Sequence, residues 1–271
     1  MHFKHRKLII LIEILFLLLF FWWFETFTIK ITKSEIQNEK IKNRITIVQL
    51  TDLHGAQFGE QNLKLIKKIE KQNPDIIVST GDMYSAGDEK GKKVAFELLT
   101  KLAQKYSVYF VNGEHDNNKE FMEKLKENKV HVLDYKDEIV TIEETKLHIY
   151  GIDNVYYSPT FDLKNEFQQD SENYTILLAH IANQDKFEQF GIDLSICGDT
   201  HGGQVRLPWI GAIYTEGVWF PELLGEPIKG LYKRENSNLF ISSGLGNYPI
   251  PLRTFNRPEI AVIRLVPKNN S

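Results

Sequence analysis

A regular alternation of short β-branched runs with helical patterns is the feature that most restricts the fold of this 271-residue chain. Pro74 separates the first helical pattern from the strand that follows it, because proline cannot continue a helix. This alternation predicts a layered α/β arrangement with a sheet covered by helices. Strands are predicted at 44–50, 75–79, 107–111 and 130–133, and helices at 61–72, 92–105 and 119–128.

The pattern changes near Ile139, where predicted strands begin to follow one another with few helices between them. Two sheets with helices outside them would form a sandwich. We therefore predict an α/β fold, a two-sheet β-sandwich flanked by helices, with one catalytic domain over residues 45–267. Strands of the second sheet are predicted at 139–142, 146–150, 175–178, 239–242 and 260–265.

Residues 8–24 form an apolar run that only Glu13 interrupts, and basic residues precede it. A helix of this length spans roughly 25 Å, which is the short end of the range for a bilayer core. Its leucine, isoleucine and phenylalanine residues outweigh the one carboxylate, and Trp22 and Trp23 stand where interfacial aromatic residues are common. The alternatives are a buried helix or a cleaved signal peptide, although no small-residue cleavage site follows Phe24.

These features predict that residues 1–30 contain a cytoplasmic basic end and an uncleaved transmembrane signal anchor. Residues 31–44 are polar and are predicted as a tether. The catalytic domain would then lie outside the cytoplasm at the cell membrane, attached by this single span. The lone cysteine, Cys197, is compatible with that location and excludes an intramolecular disulfide framework and a cysteine-based zinc cluster.

Five polar clusters begin just where predicted strands end. The ends of parallel strands in α/β folds converge on one crevice, so these clusters can meet there. Carboxylate and imidazole ligands without thiolates suit Mn, Fe, Zn or Mg. In chain order the clusters contain Asp52 and His54, Gly81 and Asp82, Gly113 to Asp116, His180, and Gly198 to Gln204.

This series resembles the calcineurin-like metallophosphoesterases, whose motifs are Asp-x-His, Gly-Asp, Gly-Asn-His-Asp, His and Gly-His-x-His. It is most similar to the membrane-associated bacterial phosphodiesterase branch, in which the last motif reads Gly-His-Thr-His-Gly-Gly-Gln. The segments 230–233, 243–246 and 257–260 support that branch, and the resemblance covers about residues 45–265. It implies the calcineurin-like fold and a metal-dependent phosphoesterase activity.

The resemblance also implies two divalent metal ions, with Mn favoured and Fe, Mg or Zn as alternatives. Asp82 would bridge the two ions. A hydroxide between them would attack phosphorus in line, and His115 would protonate the leaving oxygen. The family's ligand positions correspond to Asp52, His54, Asp82, Glu114, His180, Asp199 and His201.

Three positions depart from the family pattern. Glu114 replaces an asparagine and Asp199 replaces a histidine, both at the second metal position, which predicts a site suited to a harder cation such as Mn, Mg or ferric iron. Ser85 stands where many relatives have an aspartate that orients the catalytic histidine. Asp88 or Asp116 could replace it, and Asp116 is counted with His115 as a predicted catalytic residue.

The leading prediction is a membrane-anchored phosphodiesterase acting on a cell-envelope or lipid-linked substrate. The alternative from another class is a catalytically weak relative that binds a phosphorylated envelope ligand or a partner protein. A nuclease would share the metal centre, but the formal charge of −3 and the absence of a basic stripe predict no nucleic-acid partner. Aromatic residues within 205–232 either pack that loop onto the sheet or form a substrate-facing flap at the membrane.

Overall fold

The computed structural model describes residues 2–153, 160–215 and 217–268, with side chains from residue 5 onward. The first element is a long helix, α1 (His2–Phe27), and a strand, β1 (Lys30–Asn38), follows it directly. From His5 to Phe27 the helix is long and apolar enough to cross a membrane, and its apolar side chains are largely exposed. The described residues therefore contain one candidate membrane span, at the position that the sequence predicts.

The next part of the chain alternates strands and helices. Strands buried on both faces produce continuous apolar runs, which is why this half was readily predicted. Both faces of the first of them, residues 45–50, are buried. The elements are β2 (Ile45–Leu50), α2 (Leu63–Glu70), β3 (Ile76–Thr80), α3 (Glu89–Ala103), β4 (Ser107–Val111), α4 (Lys119–Glu127) and β5 (Val130–Val132).

The rest of the chain contains most of the second sheet and two small hairpins. The second sheet contains β6 (Lys136–Ile142), β7 (Thr145–Gly151), β8 (Tyr174–Leu178) and, after α5 (Gln184–Phe190), β9 (Leu194–Cys197). The hairpin strands are β10 (Arg206–Leu207), β11 (Gly211–Ala212), β12 (Tyr214–Thr215) and β13 (Val218–Trp219). The last strands are β14 (Gly230–Lys233), β15 (Asn238–Ile241) and β16 (Glu259–Pro267).

Two six-stranded sheets pack face to face, in the orders β1-β16-β2-β3-β4-β5 and β14-β15-β9-β8-β7-β6. Alternate residues of β2 face opposite sides: Ile45 and Ile47 meet the second sheet, whereas Val48 and Leu50 meet the helices. The mixed α/β sandwich predicted from the sequence is confirmed. Its parallel strands β2, β3 and β4 end at one edge, where the polar clusters begin.

The sequence predicts that residues 31–44 form a tether, and the structure corrects this prediction for residues 31–38. These residues belong to β1, an edge strand that pairs in parallel with β16 over nine residues. Only Ile36 is fully buried in this strand, so its sequence lacks the alternating apolar pattern by which strands are recognised. The backbone hydrogen bonds to β16 determine its conformation, and those are not visible in the sequence.

The last strand also differs from its prediction. Residues 260–265 were placed in the second sheet, but β16 lies in the first, between β1 and β2 and antiparallel to β2. A continuous apolar strand fits the centre of either sheet equally well, so its composition does not determine its partner. β16 thereby joins β1, and through it the end of α1, to β2 and the parallel strands beside it.

Candidate metal centre

The predicted ligands occupy the loops that follow β2, β3, β4, β8 and β9. Five of them have positive φ angles: Asp52 (49°), His54 (45°), Asp82 (52°), Asp199 (73°) and His201 (50°). Non-glycine residues seldom adopt this conformation, and it persists where surrounding contacts enforce it. Backbone hydrogen bonds provide such contacts, from Asp52 N–H to Gly81 O and from His54 N–H to Asp82 O, both at 3.0 Å.

Two glycines allow the loops to approach the ligands closely. A Cβ atom at Gly113 would lie 2.2 Å from Oδ1 of Asp82, and one at Gly198 would lie 2.7 Å from Oδ2 of Asp52. Any side chain at either position would displace the neighbouring carboxylate. The glycines in these two motifs are therefore required by the packing around the ligands.

Asp82 lies at the centre of the site. Its Oδ2 atom is 3.7 Å from Nε2 of His54, 3.9 Å from Nε2 of His115 and 3.5 Å from Nε2 of His180. The backbone N–H of His115 donates to the other carboxylate oxygen, Oδ1, at 3.0 Å. This carboxylate thus lies within 3.9 Å of the side chains of three histidines.

A second set of contacts brings Asp52, His54 and His201 together. Nε2 of His201 is 3.1 Å from Nε2 of His54 and 3.9 Å from Oδ1 of Asp52. In the part of the chain that the structure describes, three groups of residues have ligand atoms within 4.8 Å of one another and could each hold a metal ion. They are Asp52 with His54 and His201, His54 with Asp82 and His115, and Asp52 with Asp82 and His180.

The donor atoms fit a cation. Among the described residues, Oδ2 of Asp52 and Nε2 of His180 are buried without a hydrogen-bond partner, an arrangement that is costly unless an ion occupies the space. The opposite ring nitrogen of His180, Nδ1, lies 2.7 Å from the backbone oxygen of Thr80. That contact favours a proton on Nδ1 and leaves Nε2 available as a ligand.

Burial controls the ionisation of the ligands in the metal-free protein. It raises the pKa of Asp52 to about 7 and lowers the pKa of His54 to about 4. For Asp82, burial opposes ionisation, but the neighbouring His180 imidazole lowers the pKa to about 2. Asp82 is therefore ionised and His54 neutral at pH 7, the forms in which both bind metal ions.

The two substituted positions lie at the same pocket. Oδ1 of Asp199 is 3.5 Å from Nε2 of His180. Oε1 of Glu114 is 3.6 Å from Nε2 of His115. Neither residue belongs to the three clusters found among the described residues. The structure thus places Asp199 beside a ligand histidine and Glu114 beside the predicted general acid.

Asp116 is buried, and its carboxylate contacts backbone atoms. Its two oxygens accept hydrogen bonds from Gly113 N–H at 2.7 Å and Met83 N–H at 2.8 Å, which connects the loops after β3 and β4. Burial raises its pKa to about 6. Of the other candidates, Ser85 contacts Nδ1 of His54 at 3.0 Å, and Asp88 caps the N-terminus of α3.

Sequence reasoning missed Tyr248. Its ring stacks on the imidazole of His54, with centroids 4.7 Å apart and an interplanar angle of 12°, and meets His115 edge to face at 4.6 Å. It lines a cavity of about 280 Å³ that opens to solvent, together with five of the predicted ligands: His54, Asp82, Glu114, Asp199 and His201. The available signal was its position between two segments that carry the family resemblance, 243–246 and 257–260.

A layered α/β fold with carboxylate and imidazole clusters at converging strand ends is the arrangement that the resemblance to metallophosphoesterases implies. The profile of the calcineurin-like phosphoesterase family matches residues 45–203, and the chain belongs to that family. Its members are phosphoester hydrolases that use divalent metals.

Three relatives illustrate the similarity. An uncharacterized metallophosphoesterase of Helicobacter pylori is 29% identical over 89% of this chain and 65% of its own length, so the chain spans about two thirds of that relative. The uncharacterized metallophosphoesterase YkuE of Bacillus subtilis is 28% identical over 82% of this chain and 79% of its own length. A transmembrane protein with a metallophosphoesterase domain from Danio rerio is 27% identical over 87% of this chain and 57% of its own length.

Proposed function

We propose that this protein is a membrane-anchored phosphodiesterase that hydrolyses a cell-envelope or lipid-linked phosphoester. The observation that carries the proposal is the carboxylate of Asp82, which lies within 3.9 Å of three histidines in an open cavity. Bound divalent ions would supply Lewis-acid charge and an activated water for attack on phosphorus.

The residues of the chain would hold those ions and transfer a proton. Asp52, His54 and His201 would hold one ion. His180 and Asp199 would hold the other, with Asp82 between the two and the Glu114 carboxylate nearby. These oxygen ligands favour Mn over softer cations, with Mg, Fe or Zn as alternatives.

His115 is the proposed general acid. Its Nε2 atom faces the Asp82 carboxylate and the open side of the cavity, where a leaving oxygen would emerge. Asp116 would act as a positioning residue rather than a proton donor, because both of its oxygens accept backbone hydrogen bonds. It holds the loop of Asp82 against the loop of His115.

The membrane part of the proposal rests on α1. Basic residues precede the apolar stretch, so its N-terminus would stay cytoplasmic and the catalytic domain would lie outside. Residues 1–30 would then be the basic end and anchor, and residues 45–267 the metallophosphoesterase domain, to whose first sheet β1 adds an edge strand. Among the aromatic residues of 205–232, Trp209 and Trp219 are exposed rather than packed on the sheet, which supports a flap at the membrane surface.

The test uses the full chain in detergent micelles, stripped of metal by a chelator and resupplied with Mn, Fe, Mg or Zn in turn. An aryl phosphodiester and an aryl phosphomonoester are assayed side by side. Metal-dependent cleavage that favours the diester is expected, and His115→Ala should lower kcat by roughly 10²–10⁴-fold. His131→Ala is the matched control, since His131 lies on β5 and contacts Glu138.

Two outcomes would contradict the proposal. Preference for the monoester would keep a phosphoesterase but exclude the diester assignment. Absence of turnover with every metal, from protein that binds Mn and melts cooperatively, would instead support the alternative of a catalytically weak relative that binds a phosphorylated ligand.

A further inference from the structure

An apolar groove of about 540 Å³ opens beside the metal cavity. One wall comes from the hairpin region, with Val205, Ile213 and Trp219, and the other from Ile250 and Leu252. Trp219 is 64% exposed and Ile250 is 56% exposed. Large apolar side chains that line a concave surface mark a binding site more often than isolated exposed ones do.

The groove is continuous with the metal cavity. Both are lined by Gly203, Gln204, Tyr214 and Pro249. A ligand with its phosphorus at Asp82 could therefore extend an apolar substituent into the groove without leaving the protein surface. The change from a polar to an apolar lining along this path matches a molecule with a phosphate at one end and a hydrocarbon chain at the other.

The membrane helix reaches the wall of the groove. Nε1 of Trp22 donates a hydrogen bond to the backbone oxygen of Pro251 at 3.0 Å, between the two apolar residues of that wall. The ring of Phe21 lies 5.5 Å from the ring of Phe255 on the same segment. Because Trp22 lies near the end of the candidate span, this contact places the groove wall where lipid chains meet the headgroups.

We propose that this groove binds a hydrocarbon chain of a membrane lipid whose phosphoester lies at the metal ligands. The proposal rests on the proposed function and names its substrate class, a phosphoester that carries at least one long hydrocarbon chain. The chain would pass from the bilayer along Ile250 and Leu252 and lie against Trp219. Each buried methylene would tighten binding up to about fourfold, the equivalent of its transfer free energy from water.

The test is photolabelling of the full chain, which requires no catalysis. The protein is reconstituted into vesicles of phosphatidylcholine and phosphatidylglycerol that contain phosphatidylglycerol with a diazirine at the end of one acyl chain. After irradiation, labelled peptides are mapped by mass spectrometry. We expect labels on α1, as for any span, and also on peptides covering 205–219 and 249–252.

The variants Ile250→Asp and Ile139→Asp form a matched pair. Both isoleucines are 56% exposed, but Ile139 lies on β6, away from the groove. Ile250→Asp should reduce labelling of the 205–219 peptide at least fivefold relative to the labelling of α1, whereas Ile139→Asp should leave that ratio unchanged.

Labels confined to α1, or equal labelling of 205–219 in both variants, would overturn the groove assignment. Hydrolysis of the aryl phosphodiester is measured on the same preparations. Turnover without groove labelling would leave the proposed function standing and remove the lipid groove. Groove labelling without turnover would retain the groove as a lipid site and remove the proposed hydrolysis.

Discussion

The backbone N–H of Asn256 donates a hydrogen bond to Oε2 of Glu25 at the end of α1, at 3.0 Å. The side chain of the same asparagine donates from Nδ2 to the backbone oxygen of His201 at 2.8 Å. One residue thus connects the candidate membrane span to a ligand of the metal centre. Thr26 adds a second connection, since its hydroxyl accepts a hydrogen bond from Arg253 N–H at 3.2 Å.

Asn256→Ala should weaken metal binding. Without its side chain the loop of His201 loses a hydrogen bond that fixes the backbone of a ligand held at positive φ. Loss of such outer contacts reduces metal affinity by about 10-fold or more. Titration of Mn²⁺ into the metal-free full chain would measure the change. The control, Asn118→Ala, removes the cap of α4 instead and should leave the Mn²⁺ affinity unchanged. Equal Mn²⁺ affinities in the wild type and both variants would contradict the positioning role of Asn256.

The double substitution Glu114→Asn with Asp199→His should change the metal preference. It restores nitrogen and amide donors where this chain has carboxylates, so the ratio of Zn²⁺ to Mn²⁺ affinity should rise by roughly tenfold. Competition between the two ions, followed by the Mn²⁺ electron paramagnetic resonance signal, gives that ratio directly. Glu120→Asn, on the exposed surface of α4, is the control. If the double substitution left the ratio of Zn²⁺ to Mn²⁺ affinity unchanged, neither Glu114 nor Asp199 would approach the metals.

Ile36→Ala should destabilise the protein even though residue 36 precedes the family domain. Ile36 is 2% exposed and packs between the sheets with β16, so its truncation should lower the free energy of unfolding by about 2–4 kcal/mol. Thermal unfolding of the full chain in detergent measures this. Ile139→Ala, at an exposed position, should alter the stability by less than about 0.5 kcal/mol. Equal melting temperatures for both variants would mean that β1 does not belong to the folded domain.

Lys229 should make stability rise with pH in the alkaline range. Burial lowers its pKa from 10.5 to about 8, and its ammonium group donates to Oδ1 of Asn256 at 2.7 Å. Between about pH 8 and 10.5 the unfolded chain therefore holds a proton that the folded protein has lost, so the free energy of unfolding increases through this window. Relative to Lys229→Met, the wild type should gain up to about 2 kcal/mol between pH 7.5 and 10.5, since the group is only partly buried.

Melting temperatures of the two proteins across that pH range test the assignment. Exposed lysines and tyrosines titrate equally in both proteins and cancel in the difference. A difference independent of pH would show that Lys229 has an ordinary pKa in the folded protein.

The sequence alone predicted the half of the fold in which strands and helices alternate, and it supplied the candidate ligands. The strands β2, β3 and β4 are buried on both faces. Each therefore produces a continuous apolar run that can be recognised in the sequence. Their ends are followed by Asp52 and Asp82, whose chemistry and order are visible without coordinates. These signals depend only on residues that are close in the chain, so they can be recognised from the sequence alone.

The tertiary structure alone decided which distant segments meet. β1 is an edge strand whose conformation comes from backbone pairing with β16, and composition does not encode a pairing partner. The stacking of Tyr248 on His54 and the contact from Glu25 to Asn256 join residues that are far apart in the chain. Such contacts form because the folded sandwich brings its loops to one edge. A local sequence pattern does not indicate which distant residues will meet there.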